Sequence, residues 1–129
     1  MTPSNLRTPM SRVRGLGAAH TGTKDFWHQR ITSVAAIPLT IAVIIIVVSL
    51  LGRNQAAVVQ ILSSPLVAII MLLFIINTLY HSWIGMQEII IDYVHEDKLK
   101  LATLMANMFF VFAIGFASAF AILKLSFGV

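Results

Sequence analysis

The sequence of 129 residues contains no cysteine. Without thiols there is no disulfide framework, no thiolate set for zinc or for an iron-sulfur cluster, and no thiol nucleophile, so any metal or redox group must be held by other side chains. Charge is nearly as scarce: Asp, Glu, Lys and Arg make up 11% of the chain, against about 25% in a soluble domain. Only five residues are acidic. There is no glycine-rich dinucleotide-binding motif and no internal repeat. What fills the space is apolar, with 58% hydrophobic residues and a mean hydropathy of +0.90. Those proportions exclude a soluble enzyme, a nucleic-acid binder and a disordered tail, and point to a chain built for lipid.

The apolar residues fall into three stretches, each long enough for the roughly 20 helical residues that cross a hydrocarbon core. The first, Ile31 to Leu51, is charge-free between Arg30 and Arg53 and contains Pro38, which is expected to kink it. The second starts at Pro65, a residue suited to a first helical turn, after Ser63 and Ser64 as candidate caps. The third carries no charge from Leu101 to Leu123. The sequence therefore predicts an all-α integral membrane protein with three transmembrane helices at about 31–51, 65–94 and 100–124. Residues 1–30 form an amino-terminal arm and interfacial entry, and residues 31–125 the transmembrane domain.

Basic residues set the expected orientation. Arg7, Arg12, Arg14, Lys24 and Arg30 precede the first span and Lys98 and Lys100 follow the second, whereas only Arg53 and Lys124 fall on the other side. Positive charge collects on the cytoplasmic side, so the amino terminus is placed there, and the carboxyl terminus and the Gly52 to Ser64 loop outside. The same topology accounts for a pI near 10.0 without a nucleic-acid partner. Residues 1–24 hold no acid and are read as the cytoplasmic arm of a multi-pass protein of the bacterial inner membrane, in preference to an organellar presequence.

Polar groups interrupt the second span. Asn77, His81, Gly85, Glu88 and Asp92 follow one another at intervals of four, four, three and four residues, which puts them on one helical face. That face is expected to meet a second membrane subunit rather than lipid. An ionisable residue in a span usually serves a function, and His81 has three candidate roles: axial ligand to haem iron, proton relay, or interhelical hydrogen bond. Gly85, one turn on, leaves room for something flat or bulky. The other histidines, His20, His28 and His95, flank the spans, so a bis-histidine haem needs a ligand from another chain. The internal alternative is Met108, at about the depth of His81. At the cytoplasmic end, Asp92 and Tyr93 are expected to face the entry of the first helix, Asp25, Phe26, Trp27, His28 and Arg30. Such a cluster suits a quinone, with Tyr93 as carbonyl donor, Trp27 as ring wall, Asp92 and His28 on the proton route and Arg30 as electrostatic holder. An interfacial aromatic belt is the other reading. Glu88 either pairs with an interfacial cation or joins the chemistry. In the third span, Ala106, Ala113, Ala117, Ala121, Gly115 and Ser118 suggest close helix packing.

The run HSWIGMQEIIIDYVHE, His81 to Glu96, resembles the signature of the small hydrophobic membrane-anchor subunit of succinate dehydrogenase, respiratory complex II. In that family a second-helix His is followed four residues later by Gly, and an Asp-Tyr pair closes the helix. Asp25, Phe26, Arg30 and Thr32 match the mouth of the family's first helix, and Arg12 to Arg30 is similar to its alphaproteobacterial and mitochondrial-like form. The resemblance covers most of the chain from Arg12 onward. It implies that His81 is one axial ligand of haem b, shared with a His of the larger cytochrome b-type anchor subunit, and that Tyr93 hydrogen-bonds ubiquinone with Asp92 beside it. It further implies Arg30 near the haem propionates and quinone pocket, and Asp25 in proton entry. Trp27, His28 and Glu88 acquire no family role. Electrons would arrive from succinate through a flavoprotein and an iron-sulfur subunit docked on the membrane. The fumarate reductase anchor and a non-catalytic membrane assembly protein are the alternatives that the residues leave open.

Overall fold

The computed structural model describes residues 20–128 together with Thr8 and Met10. Arg7, Arg12 and Arg14 of the amino-terminal arm lie outside the described residues. Helix α1 spans His20–Leu50, α2 Gln55–Leu62, α3 Pro65–Tyr93 and α4 Asp97–Phe127, and no strand occurs among the described residues. Three of these are long and apolar enough to cross a membrane, over Gly22–Leu50, Pro65–Tyr93 and Asp97–Phe127.

The helix ends depart from the apolar runs in instructive ways. α1 begins at His20, well before Ile31, so the interfacial entry is itself helical. Its 31 residues extend about 46 Å at 1.5 Å per residue, against a hydrocarbon core of about 30 Å, and the surplus is the end bearing Lys24, Asp25 and Arg30. Pro38 sits inside α1 without ending it. The segment expected as a plain loop folds into α2: Gly52 turns the chain at φ 72°, and the Asn54 side chain accepts a hydrogen bond from Ala57 N at 2.9 Å as an N-cap. The expected serine cap of α3 is not made. Ser64 occupies the N-cap position without a side-chain cap bond, and the Ser63 hydroxyl donates instead to Gln60 O at 3.1 Å. Pro65, which needs no hydrogen bond for its nitrogen, starts the helix. α4 ends on Gly128 at φ 68°, with Lys124 in its last turn facing the negative end of the helix dipole.

The three long helices form a layer. α3 packs against α1 on one side and α4 on the other, and α1 and α4 do not touch among the described residues. Only a middle helix with two neighbours can bury much, and of the four buried apolar residues among those described, Ala68, Ile84 and Ile90 belong to α3; the fourth is Ile46. α4 buries none. Val34 is 68% exposed and Phe116 73% exposed. Water would not tolerate such an apolar surface, so these outward faces belong to lipid or to other membrane helices. The small residues of α4 divide accordingly. Gly115 lies against α3, where a Cβ would stand 3.2 Å from Leu79 Cδ1. Ala106, Ala113, Ala117 and Ala121 are exposed, so the described residues leave the alanine stripe uncovered.

Candidate functional site

The polar stripe of α3 is met by α1. Thr32, the one buried polar residue among those described, sits at the centre of the contact. Its hydroxyl lies 2.7 Å from His28 O and 3.1 Å from Gln29 O on its own helix, and 2.9 Å from His81 Nδ1 on α3. Thr32 O accepts from Asn77 Nδ2 at 3.0 Å. A Cβ on Gly85 would stand 3.0 Å from Gln29 Nε2, so the room that glycine leaves is taken by the Gln29 side chain. Asn77, His81 and Gly85 therefore face α1 of the same chain, which corrects the expectation that a second subunit meets this whole face. The cause is register: antiparallel α1 brings its own Gln29 to Thr32 turn opposite Gly85, His81 and Asn77. Hydrogen bonds between membrane helices contribute about 0.6 kcal/mol each on average, so these contacts specify register more than they supply stability.

Register also sets relative depth. His81 stands level with Thr32, two residues past Arg30, and so beside the charged end of α1's apolar run. Asp92 and Tyr93 lie about 16–18 Å further along α3. Both are exposed, Tyr93 by 78%, and Glu88 is exposed as well. Arg30 is exposed, with its guanidinium 4.9 Å over the Phe26 ring. Trp27 is exposed and set edge-on to Phe26 at 6.0 Å. Asp25 is half-buried and His95 exposed. Asp92 and Tyr93 are thus set about 13–15 Å along the axis beyond the level of Arg30, and among the described residues no hydrogen bond or ring contact joins them to the α1 entry that they were expected to face, so this chain leaves the Tyr93 side open.

His28 turns to Tyr80, whose hydroxyl lies 2.8 Å from His28 Nδ1, and the Tyr80 ring is followed by that of Trp83 at 5.9 Å. Met108 lines an apolar groove of about 330 Å³ between α3 and α4 with Leu79, Tyr80, Trp83, Phe112 and Phe116. His81 is not in that lining; its Nδ1 is turned to Thr32 on α1 instead. No group of three or more His, Asp or Glu that could hold a bare metal ion occurs among the described residues.

Sequence reasoning passed over four participants. Tyr80 and Trp83 flank His81 and were hidden by their apolar character, which suits lipid as well as an interior. Gln29 was one polar residue among several at the entry, and its Oε1 is buried without a hydrogen-bond partner, as is Trp83 Nε1. Asn107 carried a signal, being a lone amide in a charge-free span. Its Nδ2 donates to Trp83 O at 3.3 Å and ties α4 to α3.

Comparison with known proteins agrees with this architecture. The family described as succinate dehydrogenase/fumarate reductase transmembrane subunit matches residues 4–120. The chain is 24% identical over 106 residues, 82% of its length and 85% of the relative's, to a succinate dehydrogenase hydrophobic membrane anchor subunit of Rickettsia bellii. It is 33% identical over 103 residues, 74% of its length and 87% of the relative's, to the protein of the same name from Coxiella burnetii. No solved structure gives a significant match.

Proposed function

Because the chain belongs to the family of succinate dehydrogenase/fumarate reductase transmembrane subunits, we propose that it anchors a succinate:ubiquinone oxidoreductase in the bacterial inner membrane and contributes to haem b ligation and ubiquinone reduction. The observation that carries the proposal is His81: an imidazole in an apolar span, fixed through Nδ1 by Thr32, on the helix that ends in Asp92 and Tyr93.

The donor set suits haem better than a bare ion. An axial ligand needs one imidazole nitrogen, and with Nδ1 engaged by Thr32, His81 has Nε2 to offer. His28 is turned to Tyr80 and Met108 to the α3–α4 groove, so a second ligand falls to the larger cytochrome b-type anchor subunit. Haem b, held by His81 and the partner's ligand, would supply a one-electron carrier. The chain's own residues do the rest. Tyr93 donates a hydrogen bond to a quinone carbonyl, Asp92 beside it holds a proton for the reduced ring, and Asp25 lies on the proton's way in. Arg30 holds the anionic propionates or the reduced quinone oxygen, and Trp27 walls the ring. The open side of Tyr93 is where the soluble iron-sulfur subunit, carrying electrons from the flavoprotein, would close the pocket.

Two readings compete. The family description covers fumarate reductase too, but both relatives above are named for succinate dehydrogenase, which favours that direction. The Thr32–His81 contact also suits a purely structural interhelical bond. A reduced-minus-oxidised visible spectrum of the purified complex, wild type against His81→Leu, separates ligation from a structural bond. Loss or shift of a b-type signal in an assembled variant supports ligation. A wild type without haem leaves His81 as packing and removes the haem part of the proposal.

A further inference from the structure

Thr32 has more partners than its single hydroxyl proton can serve. Its Oγ1 is within hydrogen-bond distance of two backbone carbonyls, His28 O at 2.7 Å and Gln29 O at 3.1 Å, and of His81 Nδ1 at 2.9 Å. A carbonyl oxygen can only accept, so the 2.7 Å approach requires the hydroxyl proton to lie on that side. Were the proton given to His81 instead, two oxygens would face each other at that distance with none between them, in a site where water does not compensate. The remaining capacity of Oγ1 is its lone pairs, and these accept from Nδ1–H. Nδ1 is then the protonated nitrogen of the neutral ring and Nε2 carries the free electron pair.

We propose that Thr32 is a positioning residue that holds His81 in its Nδ1–H tautomer, through the hydroxyl that bridges α1 to the ring, and so reserves Nε2 for a ligand. The haem consequence rests on the reading given under Proposed function; the tautomer itself does not. The surroundings support the assignment. Thr32 is buried, and its carbonyl is tied to α3 by Asn77, one turn before His81. The hydroxyl faces two carbonyls of its own helix, His28 O and Gln29 O, and has little freedom to reverse its donor direction. An imidazole whose Nδ1–H is taken by an acceptor is also a more basic ligand through Nε2.

The test uses the full-length chain with ¹³C,¹⁵N-labelled histidine in lipid bilayers, read by the ¹⁵N shifts of the ring nitrogens, the His81 signals being identified by their loss in His81→Gln. Wild type and Thr32→Ser are expected to show a protonated Nδ1 and a bare Nε2. Thr32→Val, which keeps the shape and removes the hydroxyl, is expected to shift the tautomer ratio toward Nε2–H about fivefold, the ratio that one net hydrogen bond commands. Asn77→Leu controls for structure: it removes another α1–α3 bond, one that does not touch the hydroxyl, and should leave the ratio unchanged. In the assembled complex, Thr32→Val should weaken haem retention about 10–100-fold and raise the haem midpoint potential, with Thr32→Ser restoring both. An Nε2–H ring in wild type, or the same ratio in Thr32→Val as in wild type, overturns the proposal. A complex that holds no haem overturns the haem reading, while the tautomer shifts still decide the role of Thr32.

Discussion

Gly85 offers the sharpest test of how α1 seats on α3. A Cβ there would stand 3.0 Å from Gln29 Nε2, tighter than ordinary van der Waals contact by a few tenths of an ångström. In Gly85→Ala the Gln29 amide, the far end of a flexible side chain, can yield that much. Alanine in place of glycine inside a helix is worth about 1 kcal/mol, so the two effects nearly cancel. Gly85→Leu adds three further carbons that no torsion of Gln29 can admit, and overpacking of this kind costs about 1–3 kcal/mol. If α1 is forced off, the Thr32–His81, Asn77–Thr32 and Tyr80–His28 contacts go with it, at about 0.6 kcal/mol each, while leucine, nearly as good a helix former as alanine, returns a little under about 1 kcal/mol. The expected loss for Gly85→Leu is therefore about 2–4 kcal/mol, and for Gly85→Ala close to nothing. Sodium dodecyl sulfate titration in mixed micelles measures it, followed by the fluorescence of Trp27 and Trp83, which lie toward this end of the α1–α3 pair. A Gly85→Leu protein as resistant as wild type would show that α1 does not rest on Gly85, and the register argued from Thr32 and His81 would fall with it.

Asn77→Leu should lower stability in the same titration by about 0.6–1.7 kcal/mol, the range for a hydrogen bond between membrane helices, and a loss above that range would mean that Asn77 does more than hold Thr32 O. Gly115→Ala is expected to be nearly neutral: its Cβ would meet Leu79 Cδ1 at 3.2 Å, and that methyl can move into the adjoining groove of about 330 Å³. A strong destabilisation would show the groove to be filled. Tyr93→Phe removes only a hydroxyl and should slow ubiquinone reduction about tenfold while the subunits still assemble and the visible spectrum is kept. An unchanged rate would take Tyr93 out of the quinone site.

The spans were legible because the criterion is one-dimensional. A run of about 20 apolar residues must cross lipid as a helix, whatever it packs against. Local signals were less certain where several residues could do one job. Pro65 starts α3 as expected, yet neither Ser63 nor Ser64 caps it, and Asn54 makes the cap that brings α2 into being. Exposure was legible on α4 only by half. Small residues mark where helices can approach, and Gly115 lies against α3, while the described residues leave the alanines exposed.

For the site, helical spacing showed by itself that Asn77, His81 and Gly85 share a face, because that follows from 3.6 residues per turn. It also picked out His81, since an ionisable side chain in a span is costly enough to need a reason. What the face meets could not be read in the same way. Whether α1 or another subunit covers it depends on the offset between two helices separated in sequence, and many offsets bury similar apolar area. The tertiary structure chose the one that puts Gln29 over Gly85 and Thr32 against His81, leaving Tyr93 open and Met108 on the far side of α3. The sequence alone thus determined three membrane-spanning helices and which of them carries the polar face. The partner of the histidine was decided only in three dimensions, because directional contacts between distant residues depend on register, and composition and periodicity do not encode it.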